Sequence, residues 1–476
     1  MRVYLINPDN PVVSMTKTSR SGGRKVNKYR VWKPLGLLTI ARLTPDHWDL
    51  TVIDENLGPV DYEQMPLPDV VGITAFTSQA PRAYELATYF RSKGVATVIG
   101  GIHSSMCCDE ALEYFDTIIT GEAEEVWPRF LSDFESGNPK RRYDGGLVPI
   151  EMIPAARHDL LAGEYYFGSV QTTRGCPLRC TFCSVTAFNG GKFRHRPHER
   201  VLEDLRQIKE KMILFVDDNL IGTRSDHIEY SKELFRLMIR EGLTKRWICQ
   251  ATINFADDEE LLALARDAGC SGVFIGFESV TEEGLVEVHK KFNIQKGRDF
   301  RASVRAIQNH GIHVVGSFIM GIDSDKKGIG TLIADACKVY GVDTANVLML
   351  TPLPGTELFR QMEAQGRILS NDFPSDWSYY TLNHPVAEYK NLTWKELTEE
   401  ACRFHDLFYS YPAIFKRLLR YSRINWRKPF KIVGTAVTNI SYRLNHLANR
   451  EVFAARIDTQ PSFSPTTVEE VEDLSA

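Results

Sequence analysis

Along the first 120 residues short apolar runs recur at regular intervals, and the segments between them carry helical spacing. The runs at 3–6, 50–53, 70–73, 96–99 and 117–119 are continuously apolar rather than alternating. That is the pattern of parallel strands buried on both faces. Apolar positions recur with helical period in 35–43, 83–93 and 107–115. Strand and helix therefore alternate, which predicts a doubly wound α/β sheet that binds ligands at the carboxyl ends of its strands.

The pattern restarts after Gly145-Gly146-Leu147-Val148-Pro149 and Ile153-Pro154, which break regular structure. Six further strands are predicted at 169–173, 212–216, 247–253, 272–275, 313–319 and 346–350. Helices are predicted at 199–209, 227–239, 258–268 and 300–309. Six βα units imply a partial barrel rather than the full eight. The expected domains are an α/β domain at 1–145, a linker at 146–166, the barrel at 167–370, a helical subdomain at 371–456 and a disordered tail at 457–476.

Composition narrows this only slightly. The 476 residues are 43% hydrophobic and 25% charged, with a net charge of −4, ordinary for a soluble protein of two or three domains. The opening residues read as a strand and not as a signal peptide, and no run approaches the roughly 18 apolar residues of a membrane span. Nine cysteines, an odd number, argue for thiols and metal in a reducing, cytoplasmic setting.

Three of those cysteines carry the chemistry. Arg174-Gly175-Cys176-Pro177-Leu178-Arg179-Cys180-Thr181-Phe182-Cys183 is a CxxxCxxC loop directly after a strand. Thiolates hold iron–sulfur clusters, and three of them leave one iron of a four-iron cluster open to substrate. A zinc knuckle is the competing arrangement, since His195 and His198 follow Cys183 by 12 and 15 residues. Cys249, Cys270, Cys337 and Cys402 lack ligand spacing and read as core thiols; Cys107 and Cys108 read as packing at a helix start.

CxxxCxxC with an aromatic before its last cysteine, preceded by Thr173-Arg174-Gly175 and followed by the βα pattern, resembles the radical S-adenosylmethionine (SAM) superfamily. The resemblance implies that Cys176, Cys180 and Cys183 ligate a 4Fe-4S cluster whose open iron binds SAM. One electron then splits SAM to a 5′-deoxyadenosyl radical, with Phe182 near the adenine. The ends of the later strands supply the remaining cofactor contacts. Asp217, Asp218 and Asn219 are expected at the SAM ammonium, Gln250 and Asn254 at its carboxylate or the substrate, and Glu278 and Ser279 at the ribose. Gly316, Ser317 and Ile319 are expected along the adenine. Thr351-Pro352-Leu353-Pro354-Gly355-Thr356 is a rigid turn of the same branch. A protein using its cluster only for electron transfer or sensing would not need these residues.

The order of domains resembles class B of that superfamily, in which a cobalamin-binding domain precedes the barrel. Thr74, Thr77, Ser78, Gly100 and Gly101 are the matching positions. The Asp-x-His-x-x-Gly motif is absent, the equivalent turn being Asp54-Glu55-Asn56-Leu57-Gly58, so no protein ligand to cobalt is expected there. His103 either faces the cofactor or makes a loop contact.

Two segments bear on partners. Residues 14–33 hold seven Lys or Arg and no acid, either a solvated linker or a lid. Residues 407–450 hold nine Lys or Arg and no acid, with aromatic and aliphatic residues at helical spacing. That stretch suits a membrane-surface helix, a helical subdomain with solvated cations, or, less well, a nucleic-acid contact. Trp377, Tyr379 and Tyr380 are expected to close the barrel mouth. Together these features predict a radical SAM enzyme, fed electrons by a flavodoxin or ferredoxin. It would methylate an unactivated carbon of a lipid or terpenoid with cobalamin, or without cobalamin cyclise, couple or rearrange a lipid or natural-product substrate.

Overall fold

The computed structural model describes residues 1–11, 32–161, 165–294, 297–426 and 429–457. The basic segment 14–33 lies outside them except for Trp32 and Lys33, and the tail expected at 457–476 lies outside them except for Ile457.

The first sheet contains β1 (Arg2–Asn7), β2 (Asp49–Asp54), β3 (Val70–Thr74), β4 (Ala96–Gly100), β5 (Thr117–Thr120) and β6 (Arg142–Asp144), in the order β2-β1-β3-β4-β5-β6. Every pair is parallel. Val3 and Leu5 face the helices Leu35–Leu43 and Val126–Glu135, while Tyr4 and Ile6 face Ala80–Ser92 and Cys108–Tyr114. Both faces of β1 are thus covered, which is why its run is continuously apolar. The sequence pattern missed β6 because an edge strand reading Arg-Tyr-Asp buries only its tyrosine.

The second sheet is also parallel and takes its strands in chain order. It contains β7 (Phe167–Val170), β10 (Met212–Phe215), β11 (Trp247–Ala251), β12 (Cys270–Glu278), β13 (His313–Met320) and β14 (Thr344–Met349). Its two edge strands are not paired with each other, so the barrel is partial. Trp247, Cys249 and Ala251 point outward into the core beneath the helices, leaving Ile248 and Gln250 on the inner face. Between β7 and β10 a two-residue antiparallel ladder joins β8 (Thr173–Arg174) to β9 (Arg194–His195). The strand predicted at 169–173 is therefore broken.

Two observations correct the sequence reading of the carboxyl-terminal third. Trp377 and Tyr380 do not close the barrel mouth; they are buried in the core of the first domain. There the Trp377 indole donates to Glu110 at 2.9 Å and stacks on Phe373. The second observation concerns the basic stretch, which forms the helices Tyr411–Asn425 and Pro429–Ile457 packed across the amino-terminal ends of β13 and β14. Arg420 donates to the Gly341 and Val342 carbonyls, Lys431 to Gly311 and Asn439 to Asp343. Arg417 is buried against Asn439 and the Phe408 carbonyl. Much of that positive charge thus fastens the helices to the barrel floor instead of standing in solvent.

Candidate functional site at the barrel mouth

The cysteine loop is mounted at both ends. Asp217, at the carboxyl end of β10, is wholly buried, and its Oδ1 accepts four hydrogen bonds. These come from the amide and hydroxyl of Thr172 (2.9 and 2.7 Å) and of Thr173 (2.5 and 2.7 Å). This capture turns the chain out of β7 and into β8. Gly175 follows at φ +84°, and a Cβ there would collide with the Lys192 carbonyl. At the far end the Arg196 amide donates to the Thr172 carbonyl at 2.8 Å.

Burial pushes the three thiols up, Cys180 to about 11 and Cys183 to about 12, and each feels its neighbours. Against that, the Leu178 amide and the Asn219 side chain favour the charged form of Cys176, and the Val185 amide that of Cys183. Donors aimed at sulfur, together with a buried ammonium nearby, suit thiolates that hold an iron cluster. Among the described residues no three His, Cys, Asp or Glu side chains converge tightly enough to enclose a single metal ion.

Lys290 is that ammonium, and the sequence reading passed over it. It is buried and bonds Glu278 Oε1 at 3.1 Å, and its charge acts on both Cys176 and Cys180. A Cβ on Gly276 would strike the Glu278 carboxylate, so glycine is what lets this pair fold back over β12. Glu278 itself adopts φ +64° at a register shift between β12 and β13. Only its spacing of 12 residues after Glu278 marks Lys290 in the sequence, and that spacing has no periodic meaning.

The other predicted contacts divide between the lumen and the protein interior. Asp218 and Asn219 face the thiols; burial, and then Asp217, push Asp218 up to about 6. Gln250 is exposed on the inner face of β11, and Ser317 pairs in register with Gly276 and Asn346. Ile319 lies two residues further along the same face. Phe182 packs against the barrel core beside Thr181.

Several residues turn away from the lumen. Asp217 is wholly buried, with its Oδ1 committed to Thr172 and Thr173 and its Oδ2 without a partner among the described residues. Gly316 faces the core, where a Cβ would press on Phe318 and Phe277. Asn254 bonds Thr252 and the Gly222 carbonyl, and Ser279 caps the helix Glu282–Glu287 through Thr281.

At the carboxyl edge of the first sheet, Gly101 (φ +95°) lies beside Thr74, whose hydroxyl sits 2.7 Å from where a Cβ would stand. Glycine at 101 therefore lets the Thr74 hydroxyl pack against the backbone at this edge. Thr77 and Ser78 are buried, with the turn Ser375–Tyr379 packed against theirs. His103 is fully buried, bonded to the Tyr84 hydroxyl at 2.8 Å and packed on Trp377, so it is a structural contact.

Comparison with known proteins agrees with this two-part site. Residues 26–131 match the family model for the B12 binding domain, and residues 170–329 that of the radical SAM superfamily. The chain is 30% identical over 414 residues to the bacteriochlorophyllide d C-12(1)-methyltransferase of Chlorobaculum tepidum, covering 84% of this chain and 88% of that protein. The chain belongs to the cobalamin-dependent radical SAM methyltransferase family. Its cofactors are a 4Fe-4S cluster, SAM and cobalamin. The hopanoid C-2 methylase of Rhodopseudomonas palustris is 27% identical over 384 residues, covering 77% of this chain and 72% of that one. Among solved structures, the cobalamin-dependent radical SAM enzyme OxsB shares the fold at a TM-score of 0.63 and 14% identity, covering 96% of this chain and 80% of that one. TsrM from Kitasatospora setae does so at 0.60 and 18%, covering 76% and 78%.

In this chain Cys176, Cys180 and Cys183 are three thiols on one loop at the barrel mouth, and Thr74, Gly100 and Gly101 lie at the carboxyl edge of the first sheet.

Proposed function

We propose that this enzyme methylates an unactivated carbon of a large, polycyclic, hydrophobic substrate of the lipid or terpenoid kind. The observation that carries the reading is that the cysteine loop, with Lys290 and Asp218 beside its thiols, is tied through Arg174 and Arg194 to Glu122 and Glu124 at the carboxyl edge of the first sheet. Bound there, the cluster with SAM supplies radical chemistry, and cobalamin supplies a transferable methyl group. The chain's own part is electrostatic and steric. Lys290 offsets thiolate charge, the Leu178 and Val185 amides steady the sulfurs, and Gln250, Ser317 and Asn346 offer further polar contacts on the inner wall. The substrate class is supported by relatives named for hopanoids and bacteriochlorophyllides. It is not supported by the basic helices, which lie at the floor, away from the thiols. We assign electron delivery to a small protein of the flavodoxin or ferredoxin type.

The test is anaerobic purification with cobalamin supplied, followed by iron, sulfide and cobalt analysis and an assay for 5′-deoxyadenosine. Near-stoichiometric cobalt beside iron, with product formed, supports methylation. Iron without cobalt overturns it in favour of radical cyclisation, coupling or rearrangement. Replacing Cys176, Cys180 and Cys183 by Ala should abolish 5′-deoxyadenosine while leaving a folded protein.

The helical hairpin also supports a peripheral membrane contact. Phe415, Leu419, Val433, Val437, Leu444 and Leu447 are exposed, and Lys416 and Arg423 stand in solvent among them. Co-sedimentation with anionic vesicles that is lost in Phe415→Ser/Leu444→Ser would support it; no sedimentation of the wild type would end it.

A further inference from the structure

The ladder β8–β9 closes the base of the cysteine loop, and its register sets Arg174 directly opposite Arg194. Two like charges facing each other across strands repel, more so when desolvated, and both side chains are nearly buried, at 12% and 11% exposed. Such a base is stable only if negative charge is placed against it. The charge comes from the other domain. Glu122 and Glu124 lie in the loop after β5, at the carboxyl edge of the first sheet, and fall within the stretch that matches the B12 binding domain.

Glu122 serves both arginines. It grips the Arg194 guanidinium through both carboxylate oxygens, lies 3.4 Å from Arg174, and accepts the Val148 amide at 2.8 Å. Glu124 takes the other Arg174 nitrogen at 2.5 Å. Arg174 is two residues from Cys176, so any displacement of these carboxylates reaches the first thiol through Gly175 alone.

We propose that Glu122 and Glu124 are positioning residues that register the cysteine loop against the ligand edge of the first sheet, holding the two cofactors at one fixed separation. The loop closes in its working form only when the first domain is docked on it. This rests on cobalamin binding at that edge.

The test is electron paramagnetic resonance of the fully loaded protein, with the cluster reduced and the cobalt in its paramagnetic divalent state. Dipolar splitting between the two spins reads their separation directly. Glu122→Gln/Glu124→Gln, reconstituted and compared with wild type at matched iron and cobalt content, should lose the resolved splitting, because the separation becomes dispersed. Arg194→Lys keeps the charge but not the two-pronged contact, and should broaden the splitting without abolishing it. Wild-type splitting in the fully loaded double variant overturns the proposal. Absence of cobalt from the wild type would instead overturn the cobalamin reading, so the two failures are separable.

Discussion

Asp217→Ala removes the sole acceptor of four buried donors, and the structure sets the size of the effect. The hydroxyls of Thr172 and Thr173 can rotate toward other acceptors, but their amides are fixed by the chain. Two orphaned amides at about 1–3 kcal/mol each give a local loss of about 4 kcal/mol. That corresponds to roughly a thousandfold faster amide exchange at Thr172 and Thr173. Asp217→Asn keeps a carbonyl in the same place. It forgoes charge assistance of about 1 kcal/mol per bond but also the cost of burying a carboxylate, and should stay within about 1 kcal/mol of wild type at neutral pH. Burial holds the Asp217 carboxyl above its ordinary value. Its pH-linked contribution is therefore complete below the unfolded value near ~3.9 and is lost as pH rises through the folded value. The advantage of wild type over Asp217→Asn should shrink in that direction. Hydrogen exchange followed by mass spectrometry on the peptide spanning 170–175, at acid and neutral pH, reads both effects. Exchange in Asp217→Ala within tenfold of wild type would refute the claim that this carboxylate mounts the loop.

Four further outcomes are expected. Gly175→Ala, strained at positive φ and blocked by the Lys192 carbonyl, should fold yet load little iron on anaerobic reconstitution. Lys290→Met leaves the Glu278 carboxylate buried without its partner, at a cost of about 3–5 kcal/mol by chemical denaturation, and should weaken SAM binding measured by calorimetry. Trp377→Ala removes a buried aromatic and its bond to Glu110, and should cost about 3–5 kcal/mol, read as earlier thermal unfolding of the first domain. Burial raises the Glu122 carboxyl, but Arg194 and Arg174 outweigh it and hold it below the usual range. Its contribution is thus present above the unfolded value near ~4.3 and lost as pH falls through the folded one, so protease nicking at 146–166 should increase in acid.

The sequence revealed what depends on local periodicity. Continuous apolar runs located β1 to β5, and the βα rhythm located all six barrel strands, because burial on both faces leaves a mark in consecutive residues. The three thiols were legible because cluster ligation imposes its own spacing. What stayed hidden depends on partners distant in the chain. Nothing local to Lys290 or Glu122 says that it meets Cys180 or Arg194. Asp217 looked like a ligand because polar residues at a strand end invite one; its bonds to Thr172 and Thr173 arise 45 and 44 residues away. Gly316 fits an adenine-lining pattern, yet its face is chosen by the packing of Phe277 and Phe318. Trp377 looked like a lid because an aromatic cluster is ambiguous until its host, the helix bearing Glu110, is known.

The hairpin that seals the barrel floor is encoded late in the chain. Every barrel strand leaves the ribosome before Arg417, Arg420, Lys431 and Asn439 emerge, so the carbonyls of Gly311 and Asp343 lack these donors until then, while that of Gly341 has only Gln308. A chain cut short ahead of Asn439 would carry all three cluster cysteines on a barrel whose base lacks the bonds from Asn439 to Arg417 and Asp343.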